Sequence, residues 1–145
     1  MVLHETDWQG KIKAFTYQDW QPLLALIPKI EKTATFGEWS GSNKGAGGQF
    51  PYCVPAPIVS QFIHIVYAMP IIIVFDWAAW DEGRKILRDE TFDFDGIDLL
   101  TKCKLITAIV RNDRFCEGAL ESAFASGLML MILKSIEKEV KTKLR

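Results

Sequence analysis

The amino-acid sequence predicts a mainly α fold, a compact bundle of five to seven short helices with at most one short extended segment at 71–75. Three observations carry that prediction. Apolar residues recur at steps of three and four in several separate stretches, most clearly at Leu99, Cys103, Ile106 and Val110. That is the period of a helix with one buried face. Residue types that start and stop helices fall between the stretches, among them Pro57, Pro70 and Gly127. Only Ile71-Ile72-Ile73-Val74-Phe75 is β-branched and apolar enough to favour extended backbone. A lone strand cannot satisfy its own edges, so this run is either a buried connector or half of a small sheet.

The 145 residues suffice for one domain with a real core. Apolar residues make up 49%, charged residues 24% and the net charge is −1, a globular balance rather than a disordered one. There is no basic excess of the kind nucleic-acid binding needs, so nucleic acid is not an expected partner. The three cysteines, Cys53, Cys103 and Cys116, are odd in number and lack metal spacing, and neither His4 nor His64 lies near one. A reduced, cytoplasmic setting follows, and neither a metal nor a cofactor is expected. The first residues lack the basic start and apolar stretch of a signal peptide. The apolar run 69–75 is far short of the roughly 20 residues of a membrane span, so no membrane is expected either.

The expected layout is a loosely ordered N-terminal arm at 1–18, a single helical domain at 19–140 and a charged tail at 141–145. Trp8, Ile12 and Phe15 keep a helical step within the arm. Asp19 is placed to cap a helix carrying Trp20, Leu23, Leu24, Ile27 and Ile30. Pro28 should kink or split that helix, because its ring clashes with the carbonyl four residues back. The glycines of 40–50 match no phosphate-binding pattern: Lys44 precedes Gly45 and no Ser or Thr follows in place. They read as a flexible surface loop. Pro57 opens a helix that buries Val59, Phe62, Ile63 and Val66 and turns His64 outward. Asp76 is the expected N-cap of the next helix, with Trp77 and Trp80 one turn apart on one face. Asp93, Asp95 and Gly96 form only a fragment of a calcium loop, with no closing Glu.

Asp95 is then the expected N-cap of the central helix, with Asp98 near its positive end and Lys102 and Lys104 on its polar side. That helix runs into Arg111-Asn112-Asp113-Arg114, and an apolar stretch follows, with a stop at Ser126-Gly127. A last amphipathic helix, carrying Met129, Ile132, Leu133, Ile136 and Val140, frays into the tail.

Two clusters are candidate binding residues. The junction Arg111, Asn112, Asp113 and Arg114 has a plain explanation, since Arg111 suits a helix C-terminus and Asn112 tolerates the left-handed conformation there. Its two guanidinium groups also present planar forks suited to carboxylate or phosphate. Asp76, Trp77, Trp80 and Asp81 read either as a helix docked by two tryptophans or as an aromatic wall beside acids, able to hold a cation or stack a base. No catalytic constellation is recognised, and no residue is assigned a catalytic role.

The runs Phe75-Asp76-Trp77-Ala78-Ala79-Trp80 and Leu105 to Gly118, centred on Arg111-Asn112-Asp113-Arg114-Phe115, together with Ser122-Ala123-Phe124, resemble an uncharacterised family of small bacterial and phage proteins. The resemblance covers about 19–134 and brings no activity, cofactor or catalytic residue with it. It implies a free-standing intracellular domain carried on mobile elements, where short proteins often bind another protein. The expected function is therefore a non-catalytic interaction module, a regulator or inhibitor of a host protein. The alternative is a binding or hydrolytic domain for a nucleotide or other phosphorylated small molecule, held by Arg111 and Arg114 with Trp77 or Trp80 stacking.

Overall fold

The computed structural model describes residues 5–40 and 52–144. The chain is mainly helical. In order it forms α1 (Glu5–Lys13), α2 (Tyr17–Leu24), α3 (Leu26–Glu31), β1 (Gly37–Ser40), β2 (Tyr52–Pro55), α4 (Pro57–Ala68), α5 (Asp81–Arg88), α6 (Leu99–Asn112), α7 (Ala119–Ala125) and α8 (Leu128–Leu144). Two single 3-10 turns, Trp77–Ala79 and Phe94–Gly96, precede α5 and α6.

Helix α6 is the axis of the fold. Every residue from Leu105 to Val110 is buried, because α1, α5, α7 and α8 surround it. A helix buried on all sides needs apolar residues all round rather than a stripe. Helix α8 is the opposite case, a long amphipathic helix whose buried face carries Met129, Ile132, Leu133, Ile136 and Val140. Against that face pack α2, α3, α6 and α7. Residues 71–75 form no strand and thread the core as a connector, with Ile71, Ile72 and Ile73 buried. The Ile73 amide donates to Thr107 Oγ1 at 2.9 Å, so this buried backbone group is satisfied by a side chain of α6.

Several local expectations are corrected. Thr16, not Asp19, is the N-cap of α2; Asp19 completes a capping box by accepting from the Thr16 amide at 2.8 Å. The helix around Pro28 splits in two at Ala25, just after Leu24, whose carbonyl the Pro28 ring would meet in a continuous helix. The N-terminal arm contains helix α1, whose Trp8 and Ile12 are buried. Asp76 makes no side-chain cap and precedes only a 3-10 turn, while α5 starts at Asp81. The Trp80 ring, just before α5, lies so close over Gly83 that a Cβ there would sit 2.2 Å from it.

At the head of α6 the cap is Asp98, which accepts from the Thr101 amide at 2.8 Å and the Thr101 hydroxyl at 2.6 Å. Asp95 instead reaches α8, accepting from Ser135 Oγ and Lys138 Nζ. Lys102, expected on the polar side, is fully buried. At the far end Asn112 is still helical, and the left-handed residues are Gly118 and Gly127. Gly127 makes the predicted break between α7 and α8. The charged tail does not fray at 141, since α8 continues to Leu144.

Strands β1 and β2 form an antiparallel pair, with Trp39 opposite Cys53, where the sequence announced only a loop. The flexible loop expected at 40–50 falls almost wholly outside the described residues. Among those residues no single helix is long and apolar enough to cross a membrane.

Candidate functional site

Helical rotation divides the Arg111-Asn112-Asp113-Arg114 run. Successive residues on an α-helix point about 100° apart. Asn112, the last residue of α6, lines a cleft of about 390 Å³ between α5, α6 and α7. Its walls include Trp77, Trp80 and Leu87, and small side chains at Ala108, Ala119 and Ala123 leave the space open. Arg111 and Arg114 line a second cleft, about 260 Å³, with Val74, Phe75, Trp77 and Phe115. Trp77 is therefore a wall of both. Its ring lies 5.9 Å from that of Phe115, tilted by 40°.

Among the described residues neither Arg111 nor Arg114 is in an ion pair. The Arg111 guanidinium lies over the Tyr67 ring at 5.9 Å, a cation–π contact that leaves its donors available. Asp113 forms no ion pair with them among the described residues; its carboxylate accepts from the Leu120 amide of α7 at 3.0 Å. Asp76 and Asp81 are exposed and line neither cleft. Asp81 lies 3.7 Å from Arg84 on the surface of α5. Trp80 packs edge-on to Phe75 with ring centroids 5.5 Å apart and carries the Lys104 ammonium at 4.7 Å. Of the eight sequence candidates, then, Arg111, Asn112, Arg114, Trp77 and Trp80 converge on the paired clefts. Asp113, Asp76 and Asp81 stand apart.

On its other flank the junction is held by the hairpin. The Cys53 amide donates to Glu117 Oε1 at 2.9 Å. Glu121 and Cys53 both press on Gly37, where a Cβ would meet Glu121 Cγ at 2.7 Å and Cys53 Sγ at 3.0 Å. Gly118 serves the same packing: at φ +88° it lies under Trp39, whose ring would be 2.8 Å from any Cβ. Burial, then the Asp113 carboxylate, holds the Glu121 carboxyl above the usual range, against its own backbone amide. Burial, then the charges of Glu121, Asp113 and Glu117, pushes the Cys53 thiol up. Burial pushes up Cys103 as well. Both thiols thus stay protonated near neutrality, the unreactive state of a cysteine.

Sequence reasoning missed Phe115 and Tyr67 as members of the junction surface, and missed the hairpin altogether. The Arg114-Phe115 step that closes the polar run was the available signal for the first. No local signal places Tyr67 beside Arg111, since helix packing brings them together across 44 positions.

Fold and site together define a small, mainly helical domain whose central helix ends in an aromatic and arginine-lined junction. The chain belongs to a family of unknown function, DUF6508, whose profile matches residues 15–142. No curated protein and no solved structure matches it.

Proposed function

We propose that the protein is a non-catalytic interaction module that docks another protein through the end of α6 and the turn after it. The observation that supports this is Phe115, 77% exposed on a short turn between two packed helices. Tyr67 and Val74, also exposed, flank it around Arg111 and Arg114. Aromatic side chains with arginine, and few lysines or acids, are the composition of interface centres. Clustered exposed apolar groups of this kind mark contact sites more often than chance. The role we assign is that of a cytoplasmic regulator or inhibitor of a host protein, carried on a phage or other mobile element. The test is affinity capture from the source cell with wild type and with Phe115→Ser and Arg114→Glu. One protein should be retained by wild type and lost by both variants. Equal capture by all three would refute the assigned surface.

A second reading is binding of a small phosphorylated ligand. It is favoured by one observation: two arginines that have no carboxylate partner among the described residues share a cleft with Trp77.

A further inference from the structure

We infer that the two clefts beside Trp77 form one bipartite site for a planar ring carrying a phosphate, of which a nucleoside monophosphate is the simplest form. This rests on the second reading above and names its ligand.

The anion end follows from charge. Arg111 and Arg114 face one cleft with two full positive charges and no ion-pair partner among the described residues. The C-terminal end of α6 opposes them with only about half a negative charge. Asp113, the one acid in the run, accepts from the Leu120 amide of α7 and does not line this cleft. Two guanidinium forks in an aromatic-walled cleft match the oxygens of a phosphate.

The ring end follows from shape. The larger cleft, about 390 Å³, is within the size range of small-molecule sites. Its lining combines the Trp77 and Trp80 side chains with Ala108 of α6 and Ala119 and Ala123 of α7. Its one cationic group, Arg84, leans toward Asp81. Asn112 brings a side-chain amide into this slot, and among the described residues no hydrogen bond to that amide is made. It offers a donor and an acceptor to the edge of a ring.

The link between the two ends follows from the chain. Arg111 and Asn112 are consecutive, so their Cα atoms are about 3.8 Å apart, and Trp77 walls both clefts. A ligand spanning them would cross the rim at Trp77, the residue that the two clefts share, with a sugar as the link between ring and phosphate.

The test measures tryptophan fluorescence and melting temperature with four probes: adenosine monophosphate, adenosine, ribose 5-phosphate and inorganic phosphate. The monophosphate should quench fluorescence, raise the melting temperature and bind at least tenfold more tightly than either half. Arg114→Ala should reduce it to the affinity of adenosine. Ser122→Trp, at an exposed position on the rim of the ring cleft, should reduce it to that of ribose 5-phosphate without disturbing the core. Ribose 5-phosphate binding as tightly as the monophosphate, and losing affinity in Arg114→Ala, would overturn the bipartite site while leaving a phosphate site standing. Failure of all four probes to bind wild type would overturn both.

Discussion

The two ends of α6 treat charge in opposite ways. At its start every charge that packs against α8 has a partner. Lys102 is fully buried, yet its ammonium donates to Glu139 Oε1 at 2.7 Å and to the Ser135 carbonyl at 3.4 Å. Glu139 takes Lys143 on its other oxygen at 3.0 Å. Asp95 holds Ser135 and Lys138. At the other end, Arg111 and Arg114 have no carboxylate partner among the described residues, Phe115 faces solvent, and three carboxylates crowd the hairpin. An ammonium cannot stay charged in a core without such partners, so the first arrangement is explained by folding alone. The second is not needed to neutralise a buried charge. The contrast is why the C-terminal end, rather than the polar cavity around Lys102, carries the functional proposals.

The largest expected effect comes from breaking the paired end. Lys102→Ala leaves the half-buried Glu139 with only the exposed Lys143 as partner and opens a gap in the core, and should lower unfolding stability by about 2–4 kcal/mol, measured by urea denaturation. Lys102→Met with Glu139→Leu should recover most of that loss, because replacing both partners by apolar groups is often neutral. Arg114→Ala should change stability by no more than about 0.5 kcal/mol, as an exposed group without a partner does. Equal losses from Lys102→Ala and Arg114→Ala would erase the distinction between the ends.

Next in size is Gly118→Ala. It combines a positive φ of 88° with a 2.8 Å approach to Trp39, and a side chain in that conformation costs about 1–3 kcal/mol. Thermal melting should show the loss, and Trp39 emission should shift as the ring lifts. An unchanged melting point would mean that the hairpin is not seated on the junction.

Somewhat smaller is Asp98→Ala, which removes the cap of α6 and should cost about 1 kcal/mol. The matching substitution Asp95→Ala should cost less, since its partner Lys138 is largely solvent-exposed. The reverse order, read from denaturation midpoints, would return the cap to Asp95.

The smallest effect is in pH, and it should have opposite signs at the two ends. Burial raises Asp98, but the Thr101 hydrogen bonds outweigh it and hold the carboxyl below the usual range. Its contribution is complete above the ordinary carboxylate value and is lost as pH falls through the lower folded one. Glu121 is raised, so its contribution is complete at acid pH and is lost as pH rises through the higher folded value, where a charge appears beside Asp113. Hydrogen exchange, corrected for intrinsic rate, reads this locally. Protection of the Thr101 amide should weaken toward acid, and that of the Leu120 amide, which donates to Asp113 beside Glu121, toward neutral pH. Parallel trends at the two amides would contradict the assignment.

Local chemistry alone determined much of this protein. The period of apolar residues, Pro57 at the start of α4 and Gly127 at a positive φ are consequences of backbone sterics and one-sided burial. They act within a few residues and so can be read along the chain. The apolar character of 71–73 likewise foretold burial, and with no strand partner it became a connector. What only the tertiary structure decided is pairing across distance. Whether Asp95 or Asp98 caps α6 depended on Ser135 and Lys138, some 40 positions away. Lys102 followed an inward helical position because Glu139 waited there. The hairpin joins Gly37 to Pro55 across a glycine-rich stretch with no strand period. The arginine run was conspicuous, but the packing of the 3-10 turn Trp77–Ala79 against α6 made Trp77 a wall of both clefts and so two clefts of one junction. Such contacts depend on where helices cross, and a helical period specifies which face is buried without naming what lies against it.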